Sequence, residues 1–423
     1  MPPPALALLL LSLLNGEDVP NPRPGEDPYA QYGYRFFGDG LACLGDLDGD
    51  GREEFTVSDP SGTDPATVWI LSGADAHVVD RLSARECGRM FGFEVARVPD
   101  VDRDGVDEIA VASQPEWDGT LEGRVTLFSG RTRAPLRVIE GPPNVAWFGS
   151  QIAGLSDVDG DGCGDVLVSG GDRNSVRCGF VYSGSTGELL REIWRPNGVD
   201  YARVFPVGDI DGDERVDVAL TGTEAESLIP VAFLSSPRDG RSLGVLRGTT
   251  QIPDRGVFAL RLGDLEQSQL QLLSNSLVEA FSCAGHRIYS MRTQAVPYEV
   301  YQAGFGSIGD LDGDGVPDFV LADPEDGCLM GSVACRSGRT GKILWQEPAW
   351  PSWRNVELWH MGRYLAVIGD FDQDGVRDFI WATNNSMNGN PGLVFISSGK
   401  TGRALKVLAR GPNLEILRLG PKE

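Results

Sequence analysis

Residues 309–318 read GDLDGDGVPD. Asp310, Asp312 and Asp314 alternate with smaller or apolar residues, Gly315 follows, and Asp318 stands ninth counting from Asp310. Alternating carboxylates that end on a glycine are a calcium donor set, because Ca2+ takes about six to eight oxygens and a tight bend lets successive side chains converge on one ion. An EF-hand would complete the site with a glutamate at position 12 and continue as a helix. Here position 12 is Leu321, and the short apolar run Phe319-Val320-Leu321-Ala322 stops at Pro324, which reads as a strand. The expected ligands are therefore the carboxylates of Asp310, Asp312, Asp314 and Asp318 and the backbone carbonyl of Val316, in a turn between two strands.

The pattern recurs along the chain. Loop 1 has Asp46, Asp48, Asp50 and Glu54 with the carbonyl of Arg52, and loop 2 has Asp100, Asp102, Asp104 and Glu108 with that of Val106. Loop 3 has Asp157, Asp159, Asp161 and Asp165 with the carbonyl of Cys163. Loop 4 has Asp209, Asp211, Asp213 and Asp217 with that of Arg215, but carries Glu214 at the glycine position, which sets its geometry and affinity apart. Loop 6 is the opening stretch, and loop 7 has Asp370, Asp372, Asp374 and Asp378 with the carbonyl of Val376. Between loops 4 and 6 lies a worn copy, GDLEQSQLQLL from Gly263, which keeps Asp264 and Glu266 but has Ser268, Leu270 and Leu272 at the other ligand positions. It is expected to hold no ion.

First aspartates at 46, 100, 157, 209, 264, 310 and 370 give a mean spacing of 54 residues. Such a period suits a four-stranded propeller blade of about 40 to 60 residues and is too long for tandem calcium modules with closely packed loops. Each repeat reads as strand A, calcium loop, strand B, loop, strand C, Ser-Gly turn, strand D. The turns stand out as LSGADAHVVDRL from Leu71, FSGRTRAPLRVI from Phe128, YSGSTGELLREI from Tyr182, RSGRTGKILWQE from Arg336 and SSGKTGRALKVL from Ser397. Their glycines are expected to supply the positive φ of a tight hairpin. The prediction is an all-β, seven-bladed β-propeller with calcium loops between strands A and B. Its blades start near residues 36, 90, 147, 200, 255, 301 and 361 within 28–411. Residues 1–27 precede it as a targeting segment and linker, and 412–423 follow as a tail or closing strand.

The chain resembles the FG-GAP repeat of the integrin alpha-subunit propeller and its bacterial relatives, from about Tyr34 to Gly411. The FG element stands nine residues before the first loop aspartate as Phe37-Gly38, Phe91-Gly92 and Phe148-Gly149, and decays to Arg255-Gly256 and Met361-Gly362. The GAP element survives as Ser58-Asp59-Pro60 and Ala322-Asp323-Pro324. The resemblance implies ligand recognition on the face opposite the calcium loops.

With 61 acidic against 37 basic side chains the formal net charge is −24, which argues against a nucleic-acid partner, whose phosphates need Lys and Arg. Six loops of four carboxylates hold 24 acidic residues, and six calcium ions would halve that charge. Without metal the clustered carboxylates repel one another, so calcium is expected to be structural, at about five to six sites. The apolar run Ala5 to Leu14 has the length of a secretory h-region, without a basic flank, and is too short to cross a bilayer. A secreted or cell-envelope location with no transmembrane segment in the mature chain is the expectation. The seven cysteines show no CxxC pair; Cys328 and Cys335 flank a turn and could pair, although buried thiols are the commoner outcome.

Catalytic chemistry finds little footing. Ser398-Gly399-Lys400-Thr401 lacks the upstream glycine of a phosphate-binding loop, with Val394 in its place, and His77, His286 and His360 fall in different repeats. One stretch stands apart: WQEPAWPSWRNVELWH, with Trp345, Trp350, Trp353, Arg354 and Trp359. It joins repeats six and seven on the face across from the calcium loops, where Trp117 and Trp147 fall in comparable connections. Exposed tryptophans beside an arginine could stack a sugar or anchor a protein; wedging between blades is the alternative. The leading reading is a non-catalytic, calcium-stabilised binding module for a protein or glycan. The alternative is a propeller-scaffold enzyme acting on polysaccharide, a lyase or hydrolase, and a third reading is a cell-surface spacer.

Overall fold

The computed structural model describes residues 37–60, 66–83, 90–113, 123–143, 145–171, 177–194, 196–249, 251, 258–262, 269–274, 277–282, 286–292, 304–323, 332–348, 361–383, 393–409 and 414–417. These form seven antiparallel sheets, each with its strands in chain order, and no described residue is helical. The strands follow burial. Strand B of the first three sheets, Glu54–Asp59, Glu108–Ser113 and Asp165–Gly171, is buried at every residue. The matching D strands, Val78–Ser83, Pro135–Glu140 and Leu189–Ile193, are largely exposed. A strand covered on both faces must be small or apolar along its length, as in IAVAS after Glu108, whereas an outer strand needs only an occasional inward apolar residue.

Neighbouring sheets pack face to face through shared apolar clusters. Leu44, Val68 and Ile70 of the first sheet meet Phe91, Val95 and Val111 of the second, and Leu155 and Val181 of the third meet Val204 and Val218 of the fourth. The last sheet packs on the first: Phe55, Val57 and Trp69 share a core with Ile380, Val394 and Ile396. The architecture is a β-propeller. Beyond the last D strand, Ala404–Ala409, the segment Glu415–Leu417 adds a fifth, antiparallel strand to the seventh sheet.

The FG elements work as packing wedges. Phe37, Phe91 and Phe148 are buried, each with its ring edge against an aromatic side chain of strand C in the same sheet: Trp69, Phe128 and Phe180. The following glycines have φ of 85°, 86° and 84°. A Cβ on Gly38 would lie 2.7 Å from Ala382 Cβ in the seventh sheet, and one on Gly92 would lie 2.8 Å from Val68 in the first. Only glycine fits both the turn and the close approach of the neighbouring sheet.

The Ser-Gly turns correct an expectation. Gly73, Gly130, Gly184, Gly338 and Gly399 do not have positive φ; the left-handed residue is three positions later, at Ala76, Arg133, Gly187, Gly341 and Gly402, with φ of 62° to 76°. The Ser-Gly glycine is needed because the A–B loop of its own sheet leans on it. A Cβ there would sit 1.8–2.4 Å from the backbone carbonyl oxygen at loop position 8, as for Gly130 against Asp107. Cys43, Cys163 and Cys335 are free thiols, and Cys328, the partner considered for Cys335, lies outside the described residues. The segment 1–36 and the worn loop 263–268 lie outside the described residues.

Candidate metal centres on one face of the propeller

The six intact loops share one hydrogen-bond net, built locally by their aspartates. In loop 6, Asp310 Oδ1 accepts from the N–H of Gly313 and Asp314 at 2.8 and 3.0 Å, and Oδ2 accepts from Gly315 N–H at 2.8 Å. Asp312 Oδ1 accepts from Asp314 N–H at 3.1 Å, and Asp314 Oδ1 from Val316 N–H at 2.9 Å. Positions 4 and 6 take left-handed backbone: position 6 has φ of 83–90° at Gly51, Gly105, Gly162, Gly315 and Gly375. In loop 4, Glu214 adopts φ 67° and its N–H still reaches Asp209 Oδ2 at 2.8 Å. The glutamate therefore leaves the shape of the loop unchanged, at the cost of backbone strain.

Position 9 begins strand B or immediately precedes it, and its side chain is buried at Glu54, Glu108, Asp165, Asp217, Asp318 and Asp378. One oxygen accepts from the N–H of position 2, at Leu47, Val101, Val158, Ile210, Leu311 or Phe371. In loops 3, 6 and 7 the other oxygen accepts from the Ser-Gly glycine N–H of Gly184, Gly338 or Gly399. This carboxylate thus ties the A–B loop to the C–D turn. In loops 1, 2 and 4 the second oxygen, Glu54 Oε1, Glu108 Oε1 or Asp217 Oδ1, is buried and has no protein hydrogen-bond partner. A buried oxygen without a donor is costly, and a cation beside it would satisfy it.

The donor atoms converge. Asp100, Asp102, Asp104 and Glu108 place one carboxylate oxygen each within 4.8 Å of the others, as do Asp157, Asp159 and Asp165; Asp209, Asp211 and Asp217; and Asp310, Asp312 and Asp318. In loop 1 the converging set is Asp46, Asp48 and Asp50, without Glu54. Oxygen-only donors of this kind suit a hard divalent cation such as Ca2+ or Mg2+, and the orphaned buried oxygens of Glu108 and Asp217, both members of converging sets, fit one. Such an ion would draw on the carboxylates of each loop. Burial pushes Glu108 up to about 8 and Asp165, Asp217 and Asp378 up to about 6, and facing loop aspartates add to each shift. A bound cation would reverse that tendency.

Position 5 has a partner that the spacing did not reveal. The residue after four of the five Ser-Gly pairs reaches it: Arg131 Nε donates to Asp104 Oδ2 at 2.9 Å, Arg339 lies 3.2 Å from Asp314 Oδ2, and Ser185 Oγ donates to Asp161 Oδ2. Lys400 donates to the Asp374 carbonyl at 3.2 Å. The signal was present as an R/K/S after Ser-Gly in four turns, but only the fold shows what it touches. Between loops 1 and 7 opens a cleft of about 550 Å3, edged by Arg52, Glu53, Asp370 and Arg377.

The tryptophans expected on the opposite face divide. Trp345 belongs to strand D of the sixth sheet, Ile343–Pro348. Its indole N–H donates to Gly399 O at 2.9 Å and its ring stacks on Phe379, so it wedges between the sixth and seventh sheets at the loop end. Trp350, Trp353, Arg354 and Trp359 lie outside the described residues, as does Trp117. Trp147 is 40% exposed and Trp194 63% exposed, each in a D-to-A connection, and Leu228 is 44% exposed in the B-to-C turn of the fourth sheet. The chain direction puts all three on the face across from the metal loops. Trp194, absent from the sequence-derived set, could have been found from its place directly after the D strand Leu189–Ile193.

No family model matches the chain. Among curated proteins it is similar to integrin alpha-5 of Xenopus laevis, 29% identical over 174 residues covering 37% of this chain and 16% of that protein. It is likewise similar to integrin alpha-PS2 of Drosophila melanogaster, 24% identical over 251 residues covering 49% of this chain and 18% of that protein. The chain thus matches less than a fifth of the length of these relatives. Among solved structures, the rhamnogalacturonan lyase YesW aligns with TM-score 0.45 and 16% identity over 85% of this chain and 66% of that one, a likeness too low to bear on function. No helix among the described residues is long and apolar enough to cross a membrane. The repeated loops, the FG wedges and the likeness to integrin alpha chains together identify an FG-GAP, integrin-alpha-like β-propeller.

Proposed function

We propose that the seven sheets are the blades of one ring spanning 28–411, and that calcium in loops 1, 2, 3, 4, 6 and 7 holds its hairpins in place. The ring then serves as a non-catalytic, extracytoplasmic module that binds a protein partner through the face opposite the metals. The observation that carries the metal reading is the convergence of carboxylates in loops 2 and 4, together with a buried, partnerless oxygen on Glu108 and Asp217, which belong to those sets. The binding face draws support from Trp147, Trp194 and Leu228, exposed apolar side chains on adjacent sheets of one face. Large apolar side chains held in water are the usual anchors of an interface.

The test is capture of extracellular proteins, alongside a glycan panel, by the full chain with calcium and with chelator, repeated with Trp147→Ser and Trp194→Ser. A calcium-dependent protein partner lost in these variants is expected. Binding that persists in both variants would move the interface elsewhere, and capture from the glycan panel alone would reassign the ligand class.

A further inference from the structure

The metal loops are bonded to one another around the ring by side chains that are not themselves carboxylate ligands. Arg103, at position 4 of loop 2, donates to the carbonyl of Asp161 in loop 3. Arg215, at position 7 of loop 4, donates through Nε to the carbonyl of Asp157 in loop 3 at 2.8 Å. Backbone bonds follow the same path: Gly164 N–H reaches the Asp100 carbonyl at 3.1 Å, and Val216 N–H reaches Ser156 Oγ at 2.9 Å. Loops 2, 3 and 4 are thereby one connected group. A second group spans the seam of the ring, where Arg52 Nη1 donates to the carbonyl of Asp370 and Arg377 pairs with Glu53, both at 2.7 Å. Loop 6 differs: it has Gly313 and Val316 at the positions where Arg103 and Arg215 stand, so it carries neither latch, and Arg339, like Arg131, bonds to the position-5 carbonyl of its own loop.

We infer that these arginines couple metal uptake, so that loops 2, 3 and 4 fill together, loops 7 and 1 fill together, and loop 6 fills alone. The inference rests on the calcium reading proposed above. Arg103 stands between the ligand positions Asp102 and Asp104, so an ion in loop 2 fixes its backbone. Its guanidinium then holds the backbone of Asp161, which is a ligand position of loop 3. An ion arriving second meets a loop already ordered by its neighbour, and shared ordering of this kind is positive cooperativity. The bonded carbonyls belong to positions 1 and 5, whereas the carbonyl expected on the ion belongs to position 7, so latch and metal do not compete for the same oxygen. Repulsion between ions in adjacent loops acts against the coupling, but the loop rims are exposed and the chain carries a formal −24, so solvent and protein charge screen it.

The experiment is native mass spectrometry of the full chain during titration with calcium alone, counting ions per molecule. In the wild-type chain, species within a group that hold only part of its ions should be depleted about fivefold or more relative to independent filling, the range of ordinary coupling between sites. In the double variant Arg103→Asn, Arg215→Gln the partly filled species of loops 2–4 should return, while Arg247→Gln, whose partner Glu224 stands at the far end of strand B from loop 4, should leave the distribution unchanged. Should the double variant fail to fold, Arg103→Asn alone carries the test, since asparagine tolerates the left-handed backbone at φ 65°. A wild-type chain that binds calcium with an independent distribution overturns the coupling and leaves the metal reading standing. Skipped species that persist without Arg103 and Arg215 overturn the role given to the arginines. No bound ions at all would remove the metal reading itself.

Discussion

Replacing Glu214 by glycine should stabilise the protein, although it removes a side chain and adds no contact. Glu214 holds φ at 67° where five sister loops place glycine at 83–90°. Cβ atoms built on Gly51, Gly105 and Gly375 meet nothing within 4 Å, so a side chain at this position is not crowded and its cost lies in the backbone alone. Left-handed backbone costs an L-residue about 1–2 kcal/mol. Glycine gives back roughly 0.4–1 kcal/mol by loosening the unfolded chain. The net gain is then on the order of 0.5–1 kcal/mol, or a rise of about 0.5–1 °C in a chain of this size. The reciprocal change, Gly315→Glu in loop 6, should lose a similar amount. Both are read by thermal unfolding in excess chelator, where metal affinity does not enter, and again in saturating calcium. A destabilised Glu214→Gly, or a neutral Gly315→Glu, would refute the idea that position 6 is governed by backbone conformation.

Other expectations follow from the same geometry. Gly130→Ala should destabilise by more than about 2 kcal/mol in urea unfolding, since its Cβ would fall 1.8 Å from the Asp107 carbonyl, and overpacking against backbone leaves nothing that can yield. Gly105→Ala, with φ 83° and open space, should cost only about 1 kcal/mol. Burial, with Asp39 adding and Arg203 opposing, pushes Glu94 up to about 8. A raised carboxyl pKa in the fold favours the native state below the unfolded pKa and loses that contribution as pH rises through about 8. The melting temperature should therefore fall between pH 5 and 9, and Glu94→Gln should flatten that slope; an unchanged slope would exclude Glu94 as its source. At the ring seam, Arg377→Glu should lower stability by setting like charge against Glu53, and Glu53→Arg in the same chain should restore it, as a double-mutant cycle would show.

Much of the architecture is written locally. The alternating aspartates, the glycine bends and the position-9 carboxylate act through bonds within one repeat, most of them spanning seven residues or fewer and the longest about 20, so one repeat can be recognised without knowing its neighbours. Their recurrence every 54 residues, with all-β patterning between, is enough to propose the blades and the face that carries the metals. What escaped is non-local. The Ser-Gly glycine reads as turn chemistry, yet its requirement comes from a carbonyl of the preceding hairpin about 20 residues away, as Gly130 and Asp107 show. Trp345 reads as a surface aromatic, yet it is held by Gly399 and Phe379 of the next sheet.

The sequence by itself determined the repeat, the strand order within each repeat and the candidate metal donors, because these depend on backbone geometry and side-chain chemistry within a few residues. Only the tertiary structure decided which loops touch. Arg52 and Asp370 are 318 positions apart, and Arg103 and Asp161 are 58 apart. Such pairs are set by how sheets pack around the ring, where the last sheet meets the first, and no local pattern encodes that meeting.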